Sequence, residues 1–398
     1  MNQQNLNQLI DKQKTGYALD NEFYKNPEIY ERDIDRIFMK VWLYAGHQSE
    51  IPNPGDFFLY ELAGESVIIS HGVDGEIRAM MNVCRHRGSQ VCWDKKGNSR
   101  RFTCPYHGWT YSTEGELVAA AYMQDDFDKS SHGLKQIHIK VYSGMIYINF
   151  SDNPSSFAVI EKDLTPFLQP YRLDKAKVAH RQSYPMKSNW KLAVENYKEC
   201  YHCAPAHLEY ARAHSLALPQ EKWQAELDAM IAKMPSCGLN NGEMNNSYTH
   251  DEEFGADRSY EHYPLLRGHV TGSKDGKPLA PLLGDISDFD GGAHDFKIGP
   301  MLFGLAYCDH VMLYSFKPIS RDYADCDITW LVRGDAVEGK DYNKEELIWL
   351  WDVTTAADKS IIEHNQAGVS SRMFQPGPFS TFEGSTQRWV EWYLQAIR

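Results

Sequence analysis

The sequence predicts an α+β chain in two parts, and three observations carry that expectation. Short runs of β-branched and aromatic residues, separated by turn residues, recur from Phe57 to Phe150. Asn153-Pro154-Ser155-Ser156 then reads as a boundary. Beyond it helical and strand patterns share the chain, with the helices concentrated at the end. The expected parts are a helical segment at residues 1–39, a β-rich domain at 40–153 and a larger domain at 154–398.

Composition narrows the function classes. A net charge of −13 disfavours nucleic acid as a partner. An aromatic content of 13% argues against disorder. No apolar run is long enough for a membrane helix, so no membrane partner is expected. The polar start, Met1-Asn-Gln-Gln-Asn-Leu, lacks the charged-then-apolar order of a signal peptide. Eight cysteines are too few for a disulfide scaffold, and their place beside histidines suggests metal ligation in a reducing cytoplasm.

Taken in order, Asn26-Pro27 opens a helix with Tyr30, Ile34, Ile37 and Phe38 at helical spacing. Strands are expected at Phe57–Glu61, Ser66–Ser70 and Glu76–Val83, the last two joined by an Asp74-Gly75 hairpin turn. Cys84-Arg85-His86 and Cys104-Pro105-Tyr106-His107 follow, seventeen residues apart. Each half offers one cysteine and one histidine on a loop introduced by a strand. Two thiolates can hold one iron of a [2Fe–2S] cluster and two imidazoles the other. A Cys₂His₂ zinc site is the rival, but zinc fingers keep both cysteines in one half and both histidines in the other. The mixed halves favour a Rieske cluster. Arg85, Arg87, Lys95, Lys96, Arg100 and Arg101 surround these loops, as a solvated rim or as a basic patch that steers an acidic electron donor.

Strands at Lys140–Tyr142 and Met145–Phe150 close this part, and His180–Met186 leads through Asn189-Trp190 into the next helix. Residues 235–300 read as polar and irregular, a lid, binding loop or mobile segment. Asp285, Asp288, Asp290, His294 and Asp295 have no metal spacing and read as solvated loop. Strands return at His310–Lys317 and Cys326–Arg333. One helix is expected from Asn343 and a second from Asp358, ending at Gly368. On that second helix Asp358 shares a face with Ile361 and Ile362. Either the face is partly solvated or a Lys or Arg pairs with the acid, or the cation opposite is a metal. Ser380 and Glu383 are expected to cap a last helix whose Trp389, Trp392, Tyr393 and Ala396 follow the core pattern.

The chain's centre is Glu195–His207, Glu-Asn-Tyr-Lys-Glu-Cys-Tyr-His-Cys-Ala-Pro-Ala-His. Glu199 and His202 can share a helical face. His202 and His207 lie about 140° apart on a regular helix, so the helix must end or kink between them, where Pro205 sits. Two imidazoles and one carboxylate make a site for mononuclear iron(II) with positions left for dioxygen, although a His pair in a Cys-rich helix is more often a satisfied core feature or a zinc site when this stretch is read alone.

Together, Cys-x-His…Cys-x-x-His, Glu-x-x-His-x-x-x-x-His and the late Asp-x-x-x-x-Glu-x-x-Gln-x-Gly resemble the Rieske non-haem iron oxygenases, in their catalytic α subunit. The likeness covers nearly the whole chain. It implies a Rieske β-domain ahead of a catalytic domain with an antiparallel sheet flanked by helices, helix-grip-like, with the N-terminal helices packed on the catalytic domain. It implies Cys84, His86, Cys104 and His107 on the cluster, and His202, His207 and Asp358 on mononuclear iron. It also implies a homotrimer in which Glu199 bridges one subunit's iron site to its neighbour's cluster. The expected partners are dioxygen and an NAD(P)H reductase carrying flavin and an iron–sulfur centre. Glutamate at the bridge, in Glu-Asn-Tyr-x-Glu-Cys-Tyr-His-Cys, looks like the branch acting on carnitine, glycine betaine and proline betaine. The expected reaction is N-demethylation of a quaternary ammonium compound with release of formaldehyde. The alternative is an aromatic-ring hydroxylating dioxygenase α subunit.

Overall fold

The structure, a computed structural model, describes residues 2–247 and 254–398. The chain forms two compact units, one of residues 44–154 and one of residues 1–43 with 155–398.

In the smaller unit the strands are β1 (Leu43–His47), β2 (Asp56–Leu62), β3 (Glu65–His71), β4 (Ile77–Met81), β5 (Lys96–Asn98), β6 (Arg101–Thr103), β7 (Thr110–Ser112), β8 (Leu117–Ala119), β9 (Gln136–Tyr142) and β10 (Met145–Asn149). One antiparallel sheet runs β1-β10-β9-β4-β3-β2-β5, and a smaller one runs β6-β7-β8. The stretch read as one basic loop therefore contains β5 and β6. Its six cationic residues are nonetheless all exposed, as both readings required. The two Cys/His loops are built alike. Gly88 N–H donates to Cys84 C=O at 2.9 Å, and Gly108 N–H to Cys104 C=O at 3.0 Å. Both glycines have φ near +75°, where a side chain is strained, so each loop needs its glycine to turn back.

In the larger unit, α1 (Gln3–Lys12), α2 (Glu22–Lys25) and α3 (Pro27–Asp33) come first. Asn26 caps α3 by accepting from Glu28 N–H, and Pro27 takes its first turn. After α4 (Ala158–Leu168) come β11 (Ala176–Met186), α5 (Trp190–Tyr197), α6 (Cys203–Ala206), α7 (Leu208–Ala213) and α8 (Gln220–Lys233). Then come β12 (Met244–Ser247), β13 (Arg258–Pro264), β14 (Gly292–Ile298), β15 (Leu302–Ala306), β16 (Val311–Ser320) and β17 (Tyr323–Arg333). The chain ends with α9 (Lys344–Val369) and α10 (Gly384–Ala396). The antiparallel sheet runs β11-β17-β16-β15-β14-β13-β12.

Three expectations are corrected here. Residues 235–300 are not one irregular stretch, because β13 and β14 are interior strands of the sheet. The helices expected from Asn343 and Asp358 are one 26-residue helix, α9, which runs through Gly368 to a cap at Ser370. The residue before α10 is Glu383, whose carboxylate accepts from Ser380 N–H, so Ser380 opens the preceding turn and does not cap the helix.

A buried charge anchors the helix that leads to the histidines. Asp33 on α3 and Lys191 on α5 form an ion pair with both side chains fully buried. Trp190 Nε1–H also donates to Asp33, at 3.1 Å, and Tyr393 O–H at 2.9 Å. Burial alone would raise the Asp33 carboxyl and lower the Lys191 ammonium, and each partner offsets part of the other's cost. Lys191→Met should therefore cost about 3–5 kcal/mol by leaving Asp33 unpaired, with recovery of part of it in Lys191→Met/Asp33→Asn. Thermal unfolding of the three proteins checks this, and an unchanged midpoint in the single variant would show the pair to be dispensable.

Candidate active site

In the smaller unit Cys84 and Cys104 are 3% and 2% exposed, while His86 and His107 face solvent. Their rings lie 4.6 Å apart between centroids, at 79°. His86 also stacks on Trp109 at 4.9 Å. Both cysteines are free thiols in a core with Phe57, Phe102, Trp109 and Tyr111. The Tyr111 hydroxyl oxygen accepts from Arg85 N–H at 3.0 Å and lies 3.3 Å from Cys84 Sγ, within hydrogen-bond distance. A single zinc ion would draw four ligand atoms around one point. Among the described residues only His202, His207 and Asp358 gather that closely, so the Cys/His quartet fits a two-metal cluster better than zinc.

In the larger unit, chain breaks position the second set. Tyr197 ends α5, and residues 198–202 turn without helix. His202 precedes α6 and His207 follows it, at φ −129° and ψ 76°. Pro205 lies inside α6, so the break falls at His207 itself. The two imidazoles then cross at 83° with centroids 5.2 Å apart. Asp358, from the middle of α9, meets both. Its Oδ1 lies 2.8 Å from His207 Nε2 and 3.2 Å from His202 Nε2. The three ligand atoms all lie within 4.8 Å of one another. Asp358 is 3% exposed. Burial opposes its charge, but the hydrogen bonds from His202 and His207 outweigh this and hold it below the usual carboxylate range. His207 Nδ1 is buried and has no hydrogen-bond partner among the described residues. Two Nε2 atoms and a carboxylate oxygen converging in a buried pocket fit a divalent metal with open positions.

Glu199 is placed on the other side of His202. Its Oε1 lies 2.7 Å from His202 Nδ1, while its Oε2 accepts from the backbone N–H of Tyr201 and His202. The expected contact forms, but through a tight turn and not through a shared helical face. Burial works against the His202 imidazolium, yet Asp358 and Glu199 together raise it to about 9 when no metal competes. Cys200 and Cys203, expected among the reduced thiols, are joined as a disulfide and are not ligands.

A cavity of about 1200 Å³ opens beside the three ligands. The rings of Tyr197, Tyr210, Tyr263, Tyr314 and Trp351 line it. So do Glu261, Asp295 and Lys297 from β13 and β14. Asp295, read as solvated loop, is instead on a strand at the cavity, and Glu261 and Lys297 were missed because their strands lay in the stretch read as irregular. Asp290 and His294 are likewise not solvated. Both are buried and lie 2.9 Å apart.

Comparison with known proteins places this geometry. Residues 41–141 match the family described as Rieske [2Fe-2S] domain. Residues 173–398 match that described as Ring hydroxylating alpha subunit (catalytic domain). The glycine betaine monooxygenase oxygenase subunit of Pseudomonas aeruginosa is 34% identical over 389 residues, covering 96% of this chain and 89% of that one. Among solved structures, a quaternary ammonium Rieske monooxygenase that oxidises carnitine superposes with a TM-score of 0.75 at 21% identity, over 98% of each chain. Naphthalene 1,2-dioxygenase from Rhodococcus sp. superposes with 0.73 at 21% identity, over 99% of this chain and 97% of that one. No helix among the described residues is long and apolar enough to cross a membrane. The two family matches, and a relative this similar over nearly the full length, show that the chain belongs to the Rieske non-haem iron oxygenases, as a catalytic α subunit.

Proposed function

We propose that the chain is the terminal oxygenase of a Rieske-type system that N-demethylates a small quaternary ammonium compound of the betaine type. In this reading Cys84, His86, Cys104 and His107 hold the [2Fe–2S] cluster, and His202, His207 and Asp358 hold mononuclear iron(II). The observation that carries it is a buried three-ligand site opening onto a cavity that combines aromatic rings with carboxylates. Ring faces and anions are what a desolvated ammonium requires. The name of the Pseudomonas aeruginosa relative points the same way.

When bound, the two cofactors supply electrons and dioxygen activation for attack on a C–H bond. The chain's own residues do the rest. Glu199 fixes the His202 ring through Nδ1, so that Nε2 faces the ligand site. The aromatic wall excludes water and turns an N-methyl group inward. One oxygen atom enters that methyl C–H bond and the second leaves as water, taking two electrons and two protons. The resulting cationic hemiaminal breaks its C–N bond, with the electron pair going to nitrogen and the hydroxyl proton lost, releasing formaldehyde, a tertiary amine and a proton. The electrons come from an NAD(P)H reductase with flavin and iron–sulfur centres, for which the exposed rim around Arg85 and Arg101 is a docking candidate. A homotrimer, as the resemblance implies, supplies the neighbouring cluster.

The test is turnover with a reductase, NADH and glycine betaine. Formaldehyde equal to the NADH consumed supports the reading. Turnover of benzoate- or naphthalene-like compounds with no response to any betaine supports ring hydroxylation instead. The cluster assignment has its own test. With the cluster bound, the Tyr111 hydroxyl would donate to the Cys84 thiolate, and a donor there offsets the negative charge that reduction adds, which stabilises the reduced state and raises the potential. Tyr111→Phe should therefore lower the potential by about 60 mV, the one-electron equivalent of about 1.4 kcal/mol. An unchanged potential by redox titration would remove Cys84 from the cluster's ligands.

A further inference from the structure

Among the described residues, two charged side chains in the cavity have no hydrogen-bonded or ion-paired partner, and the reading above gives them no task. Asp295 and Lys297 sit one residue apart on β14, so they share a face, with Cα atoms about 7 Å apart. Phe296 between them points the other way and is fully buried. Lys297 is 6% exposed and lines the cavity. Among the described residues its ammonium makes neither a hydrogen bond nor a close ion pair, which is costly for a buried charge. Asp295 Oδ1 is buried and has no hydrogen-bond partner either. The neighbouring charges are already engaged. Lys198 pairs with Asp257 at 2.6 Å, and Glu261, opposite Asp295 on β13, accepts from Tyr263 O–H at 2.9 Å.

We propose that Asp295 and Lys297 form a charge-matched cradle for a zwitterion, with Lys297 holding the substrate carboxylate and Asp295 facing its ammonium. The proposal rests on the betaine reading of the substrate and deepens it, because aromatic rings alone cannot tell a betaine from choline. A ligand with both charges satisfies both orphaned groups at once, whereas a simple cation leaves Lys297 buried and unpaired. The state of Asp295 in the free protein agrees. Burial is the largest influence, offset by Lys297 and reinforced by Glu261, and it lifts the carboxyl to about 6, as for an acid waiting for a cation.

The test is calorimetric binding of three probes to the holoenzyme. Glycine betaine carries both charges, choline only the cation, and 3,3-dimethylbutanoate only the carboxylate on the same skeleton. Lys297→Met should weaken glycine betaine and 3,3-dimethylbutanoate at least tenfold and leave choline within twofold. Asp295→Asn should weaken glycine betaine and choline at least tenfold and leave 3,3-dimethylbutanoate unchanged or tighter. Lys297→Arg should recover part of the lost betaine affinity. Equal loss of all three probes in either variant, or wild-type betaine affinity in Lys297→Met, would overturn the cradle. So would a wild type that binds none of them. The crossed pattern without formaldehyde release from any quaternary ammonium compound would keep the cradle and discard the demethylation.

Discussion

Asp358→Ala is expected to purify with its cluster colour intact, about two irons per chain where the wild type holds about three, and no measurable turnover. Asp358 is the single carboxylate among the three gathered ligand atoms. Alanine leaves two imidazoles on one short turn, which is too few donors for tight retention of a divalent iron. Loss of at least about a thousandfold in turnover follows if the iron leaves, since among the described residues no other carboxylate joins the gathered ligand atoms. Glu363, the other acid on this part of α9, is committed elsewhere. It accepts from Lys187 N–H at 2.9 Å and lies 3.9 Å from Lys359 Nζ. Iron analysis, the cluster's visible spectrum and product formation together decide the matter. Retained iron and turnover in Asp358→Ala, with loss in Glu363→Ala, would transfer the ligand role to Glu363. The substitution also leaves His202 and His207 without their shared acceptor, so the unfolding midpoint is measured alongside to separate loss of metal from loss of fold.

The residues proposed to bind metal were legible in the sequence because their spacing carries the chemistry. Cys84-x-His86 and Cys104-x-x-His107 need only short loops, and the loops need only Gly88 and Gly108 at positive φ. Asp358 was harder to read. One buried acid on a helix has several explanations, and only the convergence with His202 and His207 selects among them. The cavity floor was not legible at all. A strand is recognised by alternation of apolar and polar residues toward core and solvent. On β14 Asp295 and Lys297 do alternate with Phe296 and Ile298, but His294 puts a polar residue on the buried face and cuts the pattern to four residues. Turn residues at Gly291-Gly292 and Gly299-Pro300 then made the segment look like loop. The break at His207 was misplaced for a related reason. Proline is tolerated in the first turn of a helix, and Pro205 lies within a helix of only four residues, where it removes no bond the helix needs. The single length of α9 was hidden because Asp352 and Asp358 interrupt its apolar pattern, one bonded to Tyr184 O–H at 2.8 Å and the other at the ligand site.

Glu199→Gln is expected to keep both metals, reduce its cluster at the wild-type rate, and lose about a hundredfold in turnover. The geometry separates Glu199 from the ligands. His202 presents Nε2 to Asp358 and Nδ1 to Glu199, so Glu199 touches the ring on the side away from the ligand site. A carboxylate there orients the imidazole and strengthens it as a donor without itself binding metal. Its other oxygen holds the Tyr201 and His202 backbone N–H groups, which fixes the carboxylate in place. Glutamine preserves the size and one acceptor oxygen but loses the charge. It can keep the turn, yet it offers a second acceptor neither to His202 nor, in the proposed trimer, to a cluster histidine of an adjacent subunit. The decisive measurement is a single turnover with the cluster reduced beforehand and substrate and oxygen then added. Slow cluster oxidation in Glu199→Gln, with normal metal content, supports the bridge. Oxidation as fast as in the wild type would show that electrons take another route. Loss of mononuclear iron from the variant would instead make Glu199 a ligand, which the 2.7 Å contact on Nδ1 argues against, because a residue cannot approach the metal from behind the imidazole that holds it.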